Sequence, residues 1–261
     1  MSDYDKAKAI YEWECANIAY DLDCRIYSAQ ECWDQRKGVC QAYSDLFVKP
    51  ASHCQLEAVT VSGDAKTLAY MDGDGRHAWV KVNTENGWIL VDPTWGAGTI
   101  MEQGFVFYDH NMSWFDVDPE IMVFTHFPDN QDNMFLEEPV TKEQYKMLPL
   151  IKAEVTFAGW DAHELLDYFL SHLGEPAPLF YKGFTDGLGK FELVQMPFCG
   201  NMKVGETYIL KIRSLDANVA PQGNWLKNGD LYQMVFHPDA EGELNIFLSG
   251  CGGIMKYEVN N

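Results

Sequence analysis

Basic residues are scarce in this chain: 19 Lys and Arg stand against 39 Asp and Glu, for a formal net charge of −20 spread along the sequence without forming a tail. Phosphate backbones are recognised by clustered cations, so the deficit excludes nucleic acid and disfavours anionic membrane surfaces as partners. The acidic excess needs no ligand to explain it, because net charge keeps a protein soluble. Long apolar runs are missing too. None approaches the ~20 residues that span a bilayer, and residues 1–14 (MSDYDKAKAIYEWE) are charged where an export signal requires an apolar stretch. A soluble chain without a membrane span is expected. Because it opens inside a helical pattern, an upstream leader would make it exported or cell-surface, and otherwise it would be cytoplasmic. Metal-binding spacing is the third absence. The seven cysteines, Cys15, Cys24, Cys32, Cys40, Cys54, Cys199 and Cys251, include no C-x-x-C pair and no nearby H-x-x-x-H, which excludes a structural zinc site. Asp72-Gly73-Asp74-Gly75 lacks the frame and closing Glu of a calcium loop and reads as a turn. No metal and no cofactor is expected.

What is present is apolar substance: 47% hydrophobic and 14% aromatic residues in 261, enough for one large core or two ordinary ones, with length favouring two domains. Residues 5–20 carry apolar side chains at three- and four-residue spacing, as does 38–49, where Pro50 is expected to end the helix. A short helical turn fits 29–33. Residues 55–62, 77–83 and 87–92 alternate as strands, the last two joined by a turn at Glu85-Asn86-Gly87. Residues 96–150 read as loop-rich. Beyond them, short β-type runs at 153–157, 179–184, 190–196, 208–214, 231–237, 244–250 and 254–259 predict an antiparallel, immunoglobulin-like sandwich, with 164–173 open between helix and strand. The domains expected are 1–150, with a loop-rich extension from about 96, and 151–261.

A cysteine hydrolase or acyl transferase needs a thiolate, an imidazole beside it and a third group that holds the imidazole's tautomer. Cys40 opens a helix, where free N–H groups and the positive dipole end lower a thiol's pKa. A cysteine in such a place is, taken alone, more often a packed core thiol. His77 heads a strand, and histidines there are commonly structural. Asp92 ends the next strand before Pro93, a position that commonly caps a turn. The three gain weight together, because a hairpin turning near Asn83–Gly87 places His77 within a residue or two of facing Asp92, and adjacent strands lie about 4.8 Å apart. Trp79, Trp88 and Trp95 read either as walls of the site that exclude water or as core packing. Trp79, Trp95 and Tyr43 are the substrate-binding candidates. Odd cysteine number leaves at least one thiol free; Cys15, Cys24 and Cys54 read as buried free thiols. His126, His163, His172 and His237 have no metal-like spacing and read as structural or exposed.

These residues carry a resemblance. Arg36-Lys37-Gly38-Val39-Cys40-Gln41-Ala42-Tyr43, then Gly63-Asp64-Ala65-Lys66, His77-Ala78-Trp79 and Trp88-Ile89-Leu90-Val91-Asp92-Pro93-Thr94-Trp95 resemble, in order, the transglutaminase-like core. The stretch from Trp114-Phe115 to His126-Phe127-Pro128 is similar to the kyphoscoliosis peptidase branch. The resemblance covers residues 5–150 and implies a papain-like α+β fold, with Cys40 as nucleophile, His77 as base and Asp92 as orienting group. Ala42 stands where many relatives have glycine. Trp33 is a weak candidate for a second oxyanion donor, with core packing as its alternative.

The expectation is a cysteine-dependent acyl-transfer enzyme acting on peptide or side-chain amides of a protein or peptide substrate, with hydrolysis preferred. The alternatives are cross-linking through a lysine amine and a non-catalytic module on the same scaffold. The C-terminal sandwich is a candidate surface for a protein or glycan partner.

Overall fold

In the computed structural model, which describes residues 1–67 and 69–261, the chain divides into two units, Met1–Val140 and Thr141–Asn261. The first unit begins with α1 (Asp3–Asn17). The Ser2 side chain accepts the Asp5 N–H, and Asp3 and Asp5 occupy the first turn, where the helix dipole favours acids. A short strand β1 (Ala19–Tyr20) pairs in parallel with β2 (Lys37–Gly38), and α2 (Ala29–Gln35), capped by Ser28, lies between them in sequence.

Helix α3 (Cys40–His53) follows at once. It buries Ala42, Tyr43, Leu46, Phe47 and Ala51 and packs on the sheet formed by the next strands; burying a Leu or Phe side chain contributes about 1.5–3 kcal/mol. Pro50 was the expected end of this helix, yet the helix continues to His53. A proline loses its own N–H bond and crowds the carbonyl four residues back, but the residues after it can still bond, and the last turn is closed behind it by the Cys54 N–H on the carbonyls of Pro50 and Ala51.

Strands β3 (Ala58–Ala65), β4 (Gly75–Thr84) and β5 (Gly87–Val91) form an antiparallel meander. Then come α4 (Pro93–Ala97), a hairpin of β6 (Gly98–Met101) and β7 (Gly104–Phe107), β8 (Phe115–Val117), α5 (Pro119–Met122), β9 (His126–Pro128) and a 3₁₀ turn at Gln131–Met134. The stretch read as loop thus supplies both edges of a five-stranded sheet, in the order β8-β5-β4-β3-β9. Gly63 is the junction: it lies opposite His77 on one side and Pro128 on the other. A Cβ there would sit 2.2 Å from the Phe127 carbonyl oxygen and 2.7 Å from the Trp79 ring, so only glycine lets β9 come this close.

The second unit opens with a capping box at Thr141 and Gln144 on α6 (Lys142–Met147). It continues through α7 (Glu154–Phe157), α8 (Ala162–Ser171), β10 (Leu179–Phe180), α9 (Lys182–Asp186), β11 (Phe191–Gln195), β12 (Asn201–Lys203), β13 (Tyr208–Ser214), β14 (Leu226–Asn228), β15 (Leu231–Phe236), β16 (Gly242–Leu248) and β17 (Gly252–Asn260). Two four-stranded sheets result: β11-β13-β15-β14, and β17 flanked by β10, β12 and β16. Residues 151–261 are mixed helix and sheet where an all-β domain was expected. The expected strand 153–157 contains α7, a single turn closed by Thr156 Oγ1 on the Ala153 carbonyl and stopped by Gly159 at φ +100°. The open segment 164–173 falls largely in α8, which Asp161 caps. Among the described residues, no helix is long and apolar enough to cross a membrane.

Candidate active site

The site is assembled where α3 meets β4. Val39 holds an extended backbone and Cys40 is the first residue of α3, so its N–H is one of those a helix leaves without an internal acceptor. Gly38 fits tightly before it: a Cβ there would lie 2.8 Å from both Cys32 Sγ and Ala42 Cβ. The register of β4 brings His77 and Ala78 to the sulfur. His77 and the Ala78 N–H act on the Cys40 thiol to favour its ionisation.

Asp92 is not the end of a strand but the cap of α4. Its Oδ1 accepts the N–H groups of Thr94 at 2.9 Å and Trp95 at 3.1 Å. Asp92 thus caps the helix through one oxygen and meets imidazole through the other. Oδ2 lies 2.8 Å from His77 Nε2 and 3.1 Å from His126 Nε2. With Nε2 engaged by the carboxylate, Nδ1 is the His77 nitrogen left for the sulfur.

Burial by itself would raise the Asp92 pKa, but the charge of His77 and the hydrogen bonds of both imidazoles hold the carboxyl well below the usual carboxylate range. Burial works against the charged form of His77 as well. The charge and hydrogen bond of Asp92, followed by those of Cys40, overcome it and lift the imidazole to about 10. For Cys40, burial opposes ionisation, and the hydrogen bond and charge of His77 with the Ala78 N–H bring the thiol below its ordinary value. A thiolate–imidazolium pair is the state these interactions favour.

His126 is the residue that sequence reasoning placed among structural or exposed histidines. It is 1% exposed, and burial takes its pKa down to about 4 despite Asp92. No spacing in the sequence betrays it, since β9 joins β3 far from either motif. His77, Asp92 and His126 bring three donor atoms within 4.8 Å of one another; hydrogen bonds between carboxylate and imidazoles already account for that convergence. Tyr20 was also unforeseen. Its pairing opposite Gly38 sets it near Cys40, and burial first, then the sulfur's charge, pushes its hydroxyl pKa up.

The aromatic candidates separate. Tyr43 is fully buried and its hydroxyl donates to the Ile18 carbonyl, so it packs the core and faces no substrate. Trp79 is 1% exposed and lies beside His77 and His126, with ring centres 6.1 and 4.9 Å away; it too is packing. Half-buried Trp95 lies 5.5 Å from His77, braced edge-on by Trp114 at 4.7 Å. Trp33 does not fill the core. It is 46% exposed and stacks on Trp13, with the Arg36 guanidinium 4.3 Å from its ring. Trp88 stacks on Phe135. Cys24 and Cys54 are exposed, contrary to the buried thiols expected, and Cys15 is half-buried.

Residues 1–93 match the family model of the transglutaminase-like superfamily. The chain is similar to kyphoscoliosis peptidases. That of Mus musculus is 30% identical over 166 residues, covering 59% of this chain and 25% of the relative. The Homo sapiens protein is 29% identical over 158 residues, covering 56% and 24%. Hillarin of Drosophila melanogaster is 22% identical over 173 residues, covering 58% and 21%. The chain thus spans a quarter or less of the length of these relatives. Among solved structures, a TGase is similar at 17% identity over 44% of this chain and 33% of its own, with a TM-score of 0.33.

Proposed function

We propose that the chain is a cysteine-dependent acyl-transfer enzyme in which Cys40 is the nucleophile, His77 the acid and base, and Asp92 the group that orients and charges His77. The observation that carries this reading is His77 Nε2 2.8 Å from the buried Asp92 Oδ2, on an imidazole whose charge favours ionisation of Cys40. A packed core thiol requires no imidazole beside it and no buried carboxylate behind that imidazole.

In the reaction, the Cys40 sulfur forms a bond to the carbon of an amide carbonyl, and the oxygen takes up the negative charge. The Cys40 N–H at the helix tip is placed to donate to that oxyanion. As the C–N bond breaks, the proton on His77 Nδ1 passes to the leaving amine and a thioester is left on Cys40. Water, giving a proton back to His77, attacks the thioester; carboxylic acid leaves and the thiolate returns. A lysine amine in place of water would cross-link two proteins through the same thioester. Hydrolysis is preferred because the relatives are named peptidases. Trp95, half-buried beside His77, is proposed to line the substrate side.

Residues 1–150 are proposed as the catalytic domain. Residues 151–261, whose strands form two four-stranded sheets, are proposed as a sandwich-like accessory domain that engages a protein or glycan. The test is intact-mass analysis after exposure to a peptide library. A covalent adduct should map to Cys40 and be missing from Cys40→Ala, with much less formed by His77→Ala. Full turnover by Cys40→Ala would reject the mechanism.

A further inference from the structure

We propose that His126 is a positioning residue of this site: by donating a hydrogen bond to the same Asp92 oxygen that holds His77, it limits how firmly Asp92 grips the His77 proton. The inference rests on the cysteine acyl-transfer reading above and adds a fourth residue to it, from outside the residues that match the family model.

Proton positions follow from the contacts. A ring nitrogen 3.1 Å from a carboxylate oxygen must carry the hydrogen, so Nε2 of His126 is the donor to Asp92 Oδ2. Its Nδ1 is then a bare acceptor, and the Thr125 hydroxyl, 2.8 Å from it and 3.2 Å from the Met122 carbonyl, gives its proton to the nearer nitrogen and pins this tautomer. Asp92 consequently receives four N–H groups, Thr94 and Trp95 on Oδ1 and the two imidazoles on Oδ2. Oδ1 alone fixes the carboxylate's orientation. What His126 adds is a second claim on the electron density of Oδ2, which weakens that oxygen's hold on His77.

Two imidazoles against one carboxylate cannot both be cations without strong repulsion. Here the asymmetry is built in: His126 is walled by Trp79, Trp95 and Trp114, whereas His77 has the sulfur as a second anionic partner. The other titratable groups that sense Asp92 are Cys15 from α1 and Tyr43 from α3, and burial keeps both protonated. Cys40 and His77 are thus the groups whose titration His126 tunes. A proton held too firmly by His77 would not be passed to a leaving amine, so a donor on Oδ2 favours turnover while leaving the thiolate pair intact.

The test is the pH dependence of Cys40 alkylation by iodoacetamide in the full chain. The wild-type profile should have two steps, one as the thiolate forms and a second at higher pH as His77 loses its proton. In His126→Phe, which keeps an aromatic ring but no donor, the interval between the steps should widen by roughly half to one pH unit at each end, the size expected for loss of one charge-assisted hydrogen bond shared between partners. His126→Gln restores an N–H and should return the profile towards wild type. If His126→Phe does not fold, Thr125→Val, which frees the tautomer, should widen the interval in the same direction by less. A superimposable or narrowed profile in His126→Phe, or in Thr125→Val where that is the variant that folds, would overturn the proposal, as would a Gln variant as displaced as Phe. A wild-type Cys40 that alkylates in one step like an ordinary thiol would instead overturn the enzyme reading itself.

Discussion

Asp92 Oδ2 meets His77 Nε2 at 2.8 Å from a residue whose other oxygen opens helix α4. One side chain therefore serves the fold and the chemistry through separate atoms, and the two roles can be dissected.

Asp92→Asn retains an oxygen for the Thr94 and Trp95 N–H groups but carries no charge. Its melting temperature should change little through the cap, whereas His77 loses the interaction that sets its pKa, and turnover should fall on the order of 10³-fold or more. Asp92→Ala should lose the same activity and a further ~1 kcal/mol of stability from the missing cap. Thermal melts beside rates of thioester formation check this. Equal stability of the two variants would mean that the cap contributes nothing.

The protonation states carry a sign that alkylation can read. Above its ordinary 6.5, His77 stays protonated up to about 10. Whatever stability it contributes is complete below 6.5 and is lost as pH rises through about 10. Cys40 is shifted the opposite way, below its usual 9.0, so thiolate and imidazolium coexist in the interval between. In His77→Ala burial, the Ala78 N–H and the Asp92 charge are left acting on the sulfur, and burial, the largest, raises its pKa as the Asp92 charge does. Reaction with iodoacetamide at neutral pH should drop at least about tenfold, and the inflection should move up. An unmoved inflection would show that the helix tip alone activates the thiol.

Gly63→Ala tests the joint between β3 and β9. The new methyl group would meet the Phe127 oxygen at 2.2 Å and Pro128 Cα at 2.8 Å, both backbone atoms that cannot turn aside. The expected cost is about 1–3 kcal/mol. Because β9 carries His126, the alkylation profile of Cys40 should shift as in His126→Phe. A destabilised protein with an unchanged profile would separate the sheet edge from the site.

Glu14 is fully buried in α1, and neither of its carboxylate oxygens has a hydrogen-bond partner. Burial pushes its pKa well up, so the folded chain keeps it protonated while the unfolded chain ionises it above about 4.5. Stability is therefore drained as pH rises past that value. Glu14→Gln removes the drain. The variant should match the wild type in acid and gain on it by about 1 kcal/mol per pH unit above 4.5 until Glu14 ionises in the folded state. Denaturant titrations at several pH values measure the gap, and a gap that stays constant would contradict the assignment.

Much of the site was legible because its parts are local signals. Gly38-Val39-Cys40 marks a helix start, His77 to Asp92 spans a hairpin, and apolar periodicity located α1, α3 and β3 to β5. Where the reading failed, local and tertiary preferences conflicted. Residues 153–157 alternate like a strand, yet the backbone closes a turn with Thr156 before Gly159. Tyr43, Trp79 and Trp95 are alike as large aromatics near the motifs. Only packing reveals that the first two are interior and that Trp95 is half-buried beside His77.

By itself, the order of residues determined which groups were available for chemistry and roughly which elements would bear them, because helix tips, hairpins and caps depend on neighbours a few positions away. The tertiary structure decided which groups share an atom. His126 reaches Asp92 only because an edge strand from a stretch that reads as loop docks against Gly63. Contacts across such distances in sequence are set by packing of the whole unit, and the local pattern around His126 carries no trace of them.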